Sequence, residues 1–283
     1  MTAATTRHAQ AATPVAEPQP RQLIVTVYGL YARQEHNWLS VAALVRLMAD
    51  LGIDGQAVRS SVYRLKRRGI LRSRAMSGAA GYALSGDAVA MLREGDARIF
   101  RDYRASAADG WVVVVFSVPE RDRDKRHELR TWLTRLGFGT VAPGVWVAPG
   151  HVAAEARAVL ARRGLDGYVD LFRGEHVGFA DVGVKIRDWW DLDELTTLYG
   201  AFSDRFGPIA RRLRRRSIND REAFAAFVPI LTAWRQLPYR DPGLPLDLLP
   251  QPWSGETAAG VFAELNMQLA ESAHRHATSV IHG

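Results

Sequence analysis

Cysteine is absent from this 283-residue chain. That excludes disulfides, thiolate nucleophiles and zinc fingers, and gives no sign of an oxidising compartment. No apolar run approaches the ~18 residues that a membrane span needs. The first twenty residues, rich in Ala, Thr, Gln and Pro, lack the apolar stretch of a signal peptide and read as a disordered leader. A soluble cytoplasmic protein is expected. A phosphate loop, a GxGxxG and a G-x-S-x-G nucleophile elbow are all missing. His274 and His276 stand two apart, about 200° around a helix, a poor metal pair that reads as frayed surface. No catalytic residue, metal or cofactor is expected.

The most informative gap is local. Between Asp54 and Asp87 there is no acidic residue, while Arg59, Arg64, Lys66, Arg67, Arg68, Arg72 and Arg74 all fall there. The chain as a whole carries a formal net charge of +7. Such a balance suits a polyanionic partner, but it argues affinity and never sequence preference.

The periodicities predict an α+β protein in three parts: residues 21–104, 111–180 and 187–283. In the first, Leu23, Val27 and Leu30 stack along a helix over 22–32. Ser40 is placed to cap a second helix, whose inward stripe is Val41, Leu44, Val45 and Met48 and whose stop is Gly52. Asp54 caps a third helix that closes at Gly69. Two strand-like runs, 70–72 and 81–84, flank a Gly/Ser/Ala turn, and 87–101 returns to helix. Three helices and a hairpin are the layout of a helix-turn-helix with a wing.

In the middle part, WVVVVFSV (111–118) reads as a buried strand, 120–136 as a charged amphipathic helix, and 140–148 as a strand or bent hairpin broken at Pro143-Gly144. A helix over 151–163 and a strand over 168–172 follow. Their order is that of a ferredoxin-like domain. The last part reads as helices over 188–206, 220–236 and 256–276, with a proline-rich bend between the second and third.

On the third helix Ala57, Val58, Val62 and Leu65 fall inward. At about 100° per residue, Gln56, Ser60, Tyr63 and Arg67 fall on the opposite side, flanked by Arg59 and Arg64. That outward face is what a recognition helix presents to the major groove: Arg can bind a guanine edge, Gln an adenine edge, and Ser or Tyr a base or phosphate. Arg72 and Arg74 on the hairpin would anchor phosphates without reading sequence. A basic helix face can also be plain solvated surface, or a winged helix a protein-docking module. The one-signed charge favours double-stranded DNA.

Three blocks, QAVRSSVYRLKRRGIL, VVVFSVPERDRDKRHELRTWLTRLGFGTVAPGVWVAP and the tail opening with Trp189-Trp190, resemble the phenylacetic-acid-catabolism repressors, the PaaX-like regulators. The resemblance spans residues 21–273. It implies a homodimeric repressor on a palindromic operator, released by an aryl-acyl-CoA of which phenylacetyl-CoA is the type ligand. The middle block also resembles the ferredoxin-like nucleases of CRISPR adaptation complexes, whose first strand ends in Tyr-Asp. Here those positions hold Phe116 and Ser117. A neutral hydroxyl cannot replace a carboxylate on a hard divalent cation. Glu120 is a poor substitute, because at a helix start it serves the dipole.

The tail carries Arg211, Arg212, Arg214, Arg215 and Arg216 after Gly207-Pro208. Arg211 and Arg212 are candidates for the phosphates of a CoA-thioester effector, with Trp189, Trp190 or Trp234 stacking on its rings. A solvated helix end, and tryptophans in the core, are the plainer readings of the same residues.

Overall fold

The computed structural model describes residues 17–100 and 104–283. Most of the predicted leader, residues 1–16, and the predicted helix end at Arg101 lie outside them. The chain is a mixture of helices and two small antiparallel sheets.

α1 (Pro20–Val27) continues through a wider turn, Tyr28–Ala32, where the Tyr28 hydroxyl donates to the Tyr82 carbonyl at 3.1 Å. β1 (Trp38–Ser40) leads into α2 (Val41–Asp50), whose first turn is capped by Ser40 Oγ accepting from the Ala43 amide. α3 (Gly55–Arg67) follows, then the hairpin of β2 (Leu71–Met76) and β3 (Ala79–Leu84), then α4 (Gly86–Phe100). The hairpin is longer than the sequence suggests. Met76 pairs with Ala79 around Ser77-Gly78, both at positive φ, as a tight two-residue turn requires. β1 was not anticipated; it pairs with β3 and orders the sheet β1-β3-β2. At Gly81 its ring of Trp38 and the Leu39 carbonyl come so close that no side chain fits.

The middle segment runs β4 (Trp111–Phe116), α5 (Arg123–Arg135), β5 (Gly139–Ala142), β6 (Val145–Pro149), α6 (Ala153–Arg162) and β7 (Val169–Gly174). The stretch read as one strand or a bent hairpin is two strands, turned at Gly144 with φ +81°. The sheet order is β5-β6-β4-β7, antiparallel throughout. Val112 and Val114 are buried under Leu129, Leu133, Val159 and Leu160 of the two helices. Glu120 opens a short turn before α5 and pairs with Arg126.

The remainder is helical: α7 (Val182–Trp189), α8 (Leu192–Leu213), α9 (Asp220–Trp234) and α10 (Ser254–His282). The expected helix end at 206 is corrected, since α8 passes through Gly207 and Pro208. A proline inside a helix costs ~3 kcal/mol. Burial of Phe202, Phe206 and Ala210 along the same stripe offsets it.

One hydrophobic core joins the two ends of the chain. Leu23, Ile24 and Val27 of α1 share it with Phe224, Phe227 and Leu231 of α9. The hydroxyls of Thr26 and Thr232, both buried, lie 2.8 Å apart. α10 reaches back to α2: Arg46 donates to the Val280 carbonyl at 2.9 Å, and His276 Nε2 lies 2.7 Å from Asp50. His274 packs on Tyr31, and His276 on Phe224. Both histidines therefore serve packing, which corrects their reading as frayed surface. Phe224→Ala should cost about 3–5 kcal/mol. Because that core spans both ends, hydrogen exchange should show α1 amides opening along with α9; unchanged α1 protection would contradict a shared core.

Candidate nucleic-acid interface

α3 is positioned from both ends. The Asp54 carboxylate accepts from the Gln56 and Ala57 amides at 2.8 and 2.9 Å, satisfying two donors of the first turn. Gly69 at φ +68° stops the helix and turns the chain into β2. Val58, Val62 and Leu65, with Ser61, bury the inner face. Ala57, placed inward by sequence, is half-buried.

Gln56, Arg59, Ser60, Tyr63, Arg64 and Arg67 are all exposed. Tyr63, an aromatic ring that no apolar neighbour covers on this face, is 63% exposed. Among the described residues, none of Arg59, Arg64, Arg67, Arg72 and Arg74 takes part in an ion pair, whereas arginines elsewhere do: Arg33 with Asp96, Arg98 with Glu155, Arg104 with Asp241. A cluster of guanidiniums with no carboxylates beside it is a surface prepared for an anion.

The two hairpin arginines are set apart from the helix. Strand alternation puts Leu71 and Ser73 on the sheet face toward the helices, and Arg72 and Arg74 on the other. Ser73 Oγ accepts from Lys66 Nζ at 2.8 Å. Lys66 was counted in the basic run but given no role; here it ties α3 to β2. The signal was its place one turn before the helix stop, on the side of the hairpin.

The five residues proposed for an effector do not come together. Trp189 and Trp190 lie just before α8, Arg211 and Arg212 in its last turn. At 1.5 Å per residue the separation is roughly 30 Å, so no single small ligand spans them. Trp190 is buried, donates through Nε1 to the Gly137 carbonyl at 3.0 Å, and stands 6.2 Å from the Trp111 ring. Trp189 stands 6.1 Å from the same ring. This pair fastens the middle sheet to the helical segment. Arg211 and Arg212 are exposed, and the neighbouring Arg214 is held by Glu264. The assignment of Trp189, Trp190, Arg211 and Arg212 to one site is thereby corrected.

Trp234 fares differently. It is stacked on Phe262 with centroids 4.6 Å apart, donates to the Ile99 carbonyl, and lines a cavity of about 580 Å³ with Tyr199, Arg98 and His151. Burial holds the His151 imidazole below its ordinary pKa, partly offset by Asp109. A second cavity, about 920 Å³, lies between α1, α4, α5, α6 and the end of α9; Trp132, Arg163 and Arg235 stand on its walls. Burial likewise lowers the pKa of the Arg235 guanidinium. Ile99, Phe100, Leu136 and Glu155 border both cavities. In the middle sheet Ser117 follows the end of β4, and among the described residues no three His, Asp or Glu stand close enough to hold a metal.

Replacing Asp54 by Ala should lower stability by ~1 kcal/mol, the usual worth of such a cap. A urea midpoint unchanged from the parent would show that the cap contributes nothing.

Three family models match the chain in succession: "PaaX-like protein" over residues 19–88, "PaaX protein central Cas2-like domain" over 104–183, and "PaaX-like protein C-terminal domain" over 190–279. The transcriptional repressor PaaX of Escherichia coli strain K12 is 25% identical over 274 residues, covering 94% of this chain and 84% of that protein. An uncharacterized protein from Mycobacterium tuberculosis shares the fold, with a TM-score of 0.52 at 21% identity, over 92% of this chain and 99% of that one. No helix among the described residues is long and apolar enough to cross a membrane. With its N-terminal, central and C-terminal segments each matched in order, the chain belongs to the PaaX-like family.

Proposed function

We propose that this protein is a DNA-binding transcriptional repressor whose residues 21–104 form a winged helix-turn-helix. The observation that carries the reading is the exposed, acid-free face of α3 with its unpaired arginines. Gln56, Arg59, Ser60, Tyr63, Arg64 and Arg67 enter the major groove, while Arg72 and Arg74 hold phosphates from the hairpin. The repressor named among its relatives supports the same role.

The strand order of the middle sheet supports a ferredoxin-like domain over 111–180. In this reading it couples the first part to the helical part over 187–283 and does no chemistry, since Ser117 stands where a metal-binding carboxylate is needed. The protein works as a homodimer on a palindromic operator, because one helix reads too few base pairs to be selective alone. An aryl-acyl-CoA such as phenylacetyl-CoA releases it.

Fluorescence anisotropy with a DNA fragment from upstream of its own operon tests the reading. Arg59→Ala or Arg64→Ala should weaken specific binding by ~1–3 kcal/mol if that residue reads a base. Unchanged affinity in both variants would remove α3 from the interface. Arg72→Ala should weaken binding evenly across sequences and reduce the salt slope by about one; a loss confined to one sequence would mean that the hairpin reads bases.

A further inference from the structure

Arg235 is out of keeping with the other arginines of the interior. Arg33, Arg98 and Arg104 are each partly buried and each meets a carboxylate within 3 Å. Arg235, at the end of α9, has its Nε buried with no hydrogen-bond partner. Its Nη2 donates to the Gln22 carbonyl at 3.2 Å, and no carboxylate reaches it among the described residues. Arg235 as a whole is half-buried; a guanidinium partly taken out of water without a counter-ion is unfavourable, and an anion beside it offsets part of that.

The cavity on whose wall Arg235 stands has room for such an anion and for the molecule bearing it. At about 920 Å³ it lies within the usual size of a small-molecule site. The Trp132 ring on its wall carries two further guanidiniums, Arg163 at 4.3 Å and Arg135 at 5.0 Å. The acids on the same walls are mostly engaged: Asp96 by Arg33, Glu94 by Arg162 and Glu155 by Arg98. Asp87, also on the wall, is exposed at the start of α4. The cavity therefore keeps spare positive charge, at Arg235 and around Trp132.

Its position adds a second argument. Arg68, Gly69 and Ile70, the turn that ends α3 and begins β2, form part of its wall. Helices of the middle segment close another side. Whatever occupies it bears at once on the DNA-facing helix and on the segments that hold that helix in place.

We infer that this cavity is the effector site and that Arg235 receives the effector's oxyanion, a phosphate or a carboxylate. The inference rests on the repressor reading above, in which a small molecule releases DNA. Occupancy moves the Gly69–Ile70 turn relative to α4 and so changes how α3 is presented. Arg163 and Arg135, stacked on Trp132 at the rim, hold a second part of the same anionic molecule.

The test uses the full chain and three probes: coenzyme A, phenylacetate and phenylacetyl-CoA. Calorimetric titration gives the affinity of each, and anisotropy gives the release of DNA. Coenzyme A binding without phenylacetate identifies phosphate as the anion; the reverse identifies carboxylate. In either case Arg235→Met should weaken binding about tenfold or more, the loss of a charge-assisted contact. The ligand-free melting temperature should not fall, because a half-buried charge without a counter-ion has gone. Arg163→Ala changes an exposed side chain and should weaken binding by about threefold, the scale of a partly exposed charge contact, so it reads the site even if the first variant does not fold. Probes that bind and release DNA equally well from both variants place the effector elsewhere and leave the repressor reading standing. Failure of every probe to bind the parent protein overturns the effector reading, and this assignment with it.

Discussion

The two-sided burial of α1 is the constraint on which the rest depends. One side of this short helix packs on α3, and the other is covered by α9, with Thr26 against Thr232 at the contact. A helix of this length has too little surface to be stable alone. Its place, and with it the frame that holds α3, is set by residues some two hundred positions further along the chain. The N-terminal part and the helical tail are thus one body built from the two ends of the sequence, and the middle segment is held to it by Trp111, Trp189 and Trp190.

That arrangement explains what could be read in the sequence. α2 and α3 were legible because their signals are local: Ser40 and Asp54 as caps, Gly52 and Gly69 as stops, and an apolar stripe at helical spacing. The α3 face was legible for the same reason, since exposure follows from the period once the inner stripe is known. β1 was not, because three residues carry no period. α8 was misjudged at Gly207-Pro208, where a local breaking signal is overridden by the burial of Phe202, Phe206 and Ala210.

The cavities were beyond sequence reasoning on different grounds. Their walls come from stretches far apart in the chain, and nothing near Arg235 in sequence distinguishes it from any arginine at a helix end. What singles it out is a buried Nε without a hydrogen-bond partner, in a side chain that no carboxylate reaches among the described residues. Conversely, the dense Arg211–Arg216 run and the Trp189-Trp190 pair are conspicuous in sequence, yet one is exposed helix end and the other a fastening between segments. Density of a residue type reports composition; a site requires convergence.

The shared core also bears on how this chain is made. Thr26 leaves the ribosome 206 residues ahead of its partner Thr232. At the ~5–20 residues per second of synthesis, the apolar side of α1 waits on the order of 10–40 s for its cover. During that interval the nascent N-terminal part offers Leu23, Ile24 and Val27 to whatever is near. The arrival of α9 is therefore what closes the first segment, and a truncated product that retains α3 but lacks α9 exposes an adhesive apolar surface beside its basic face.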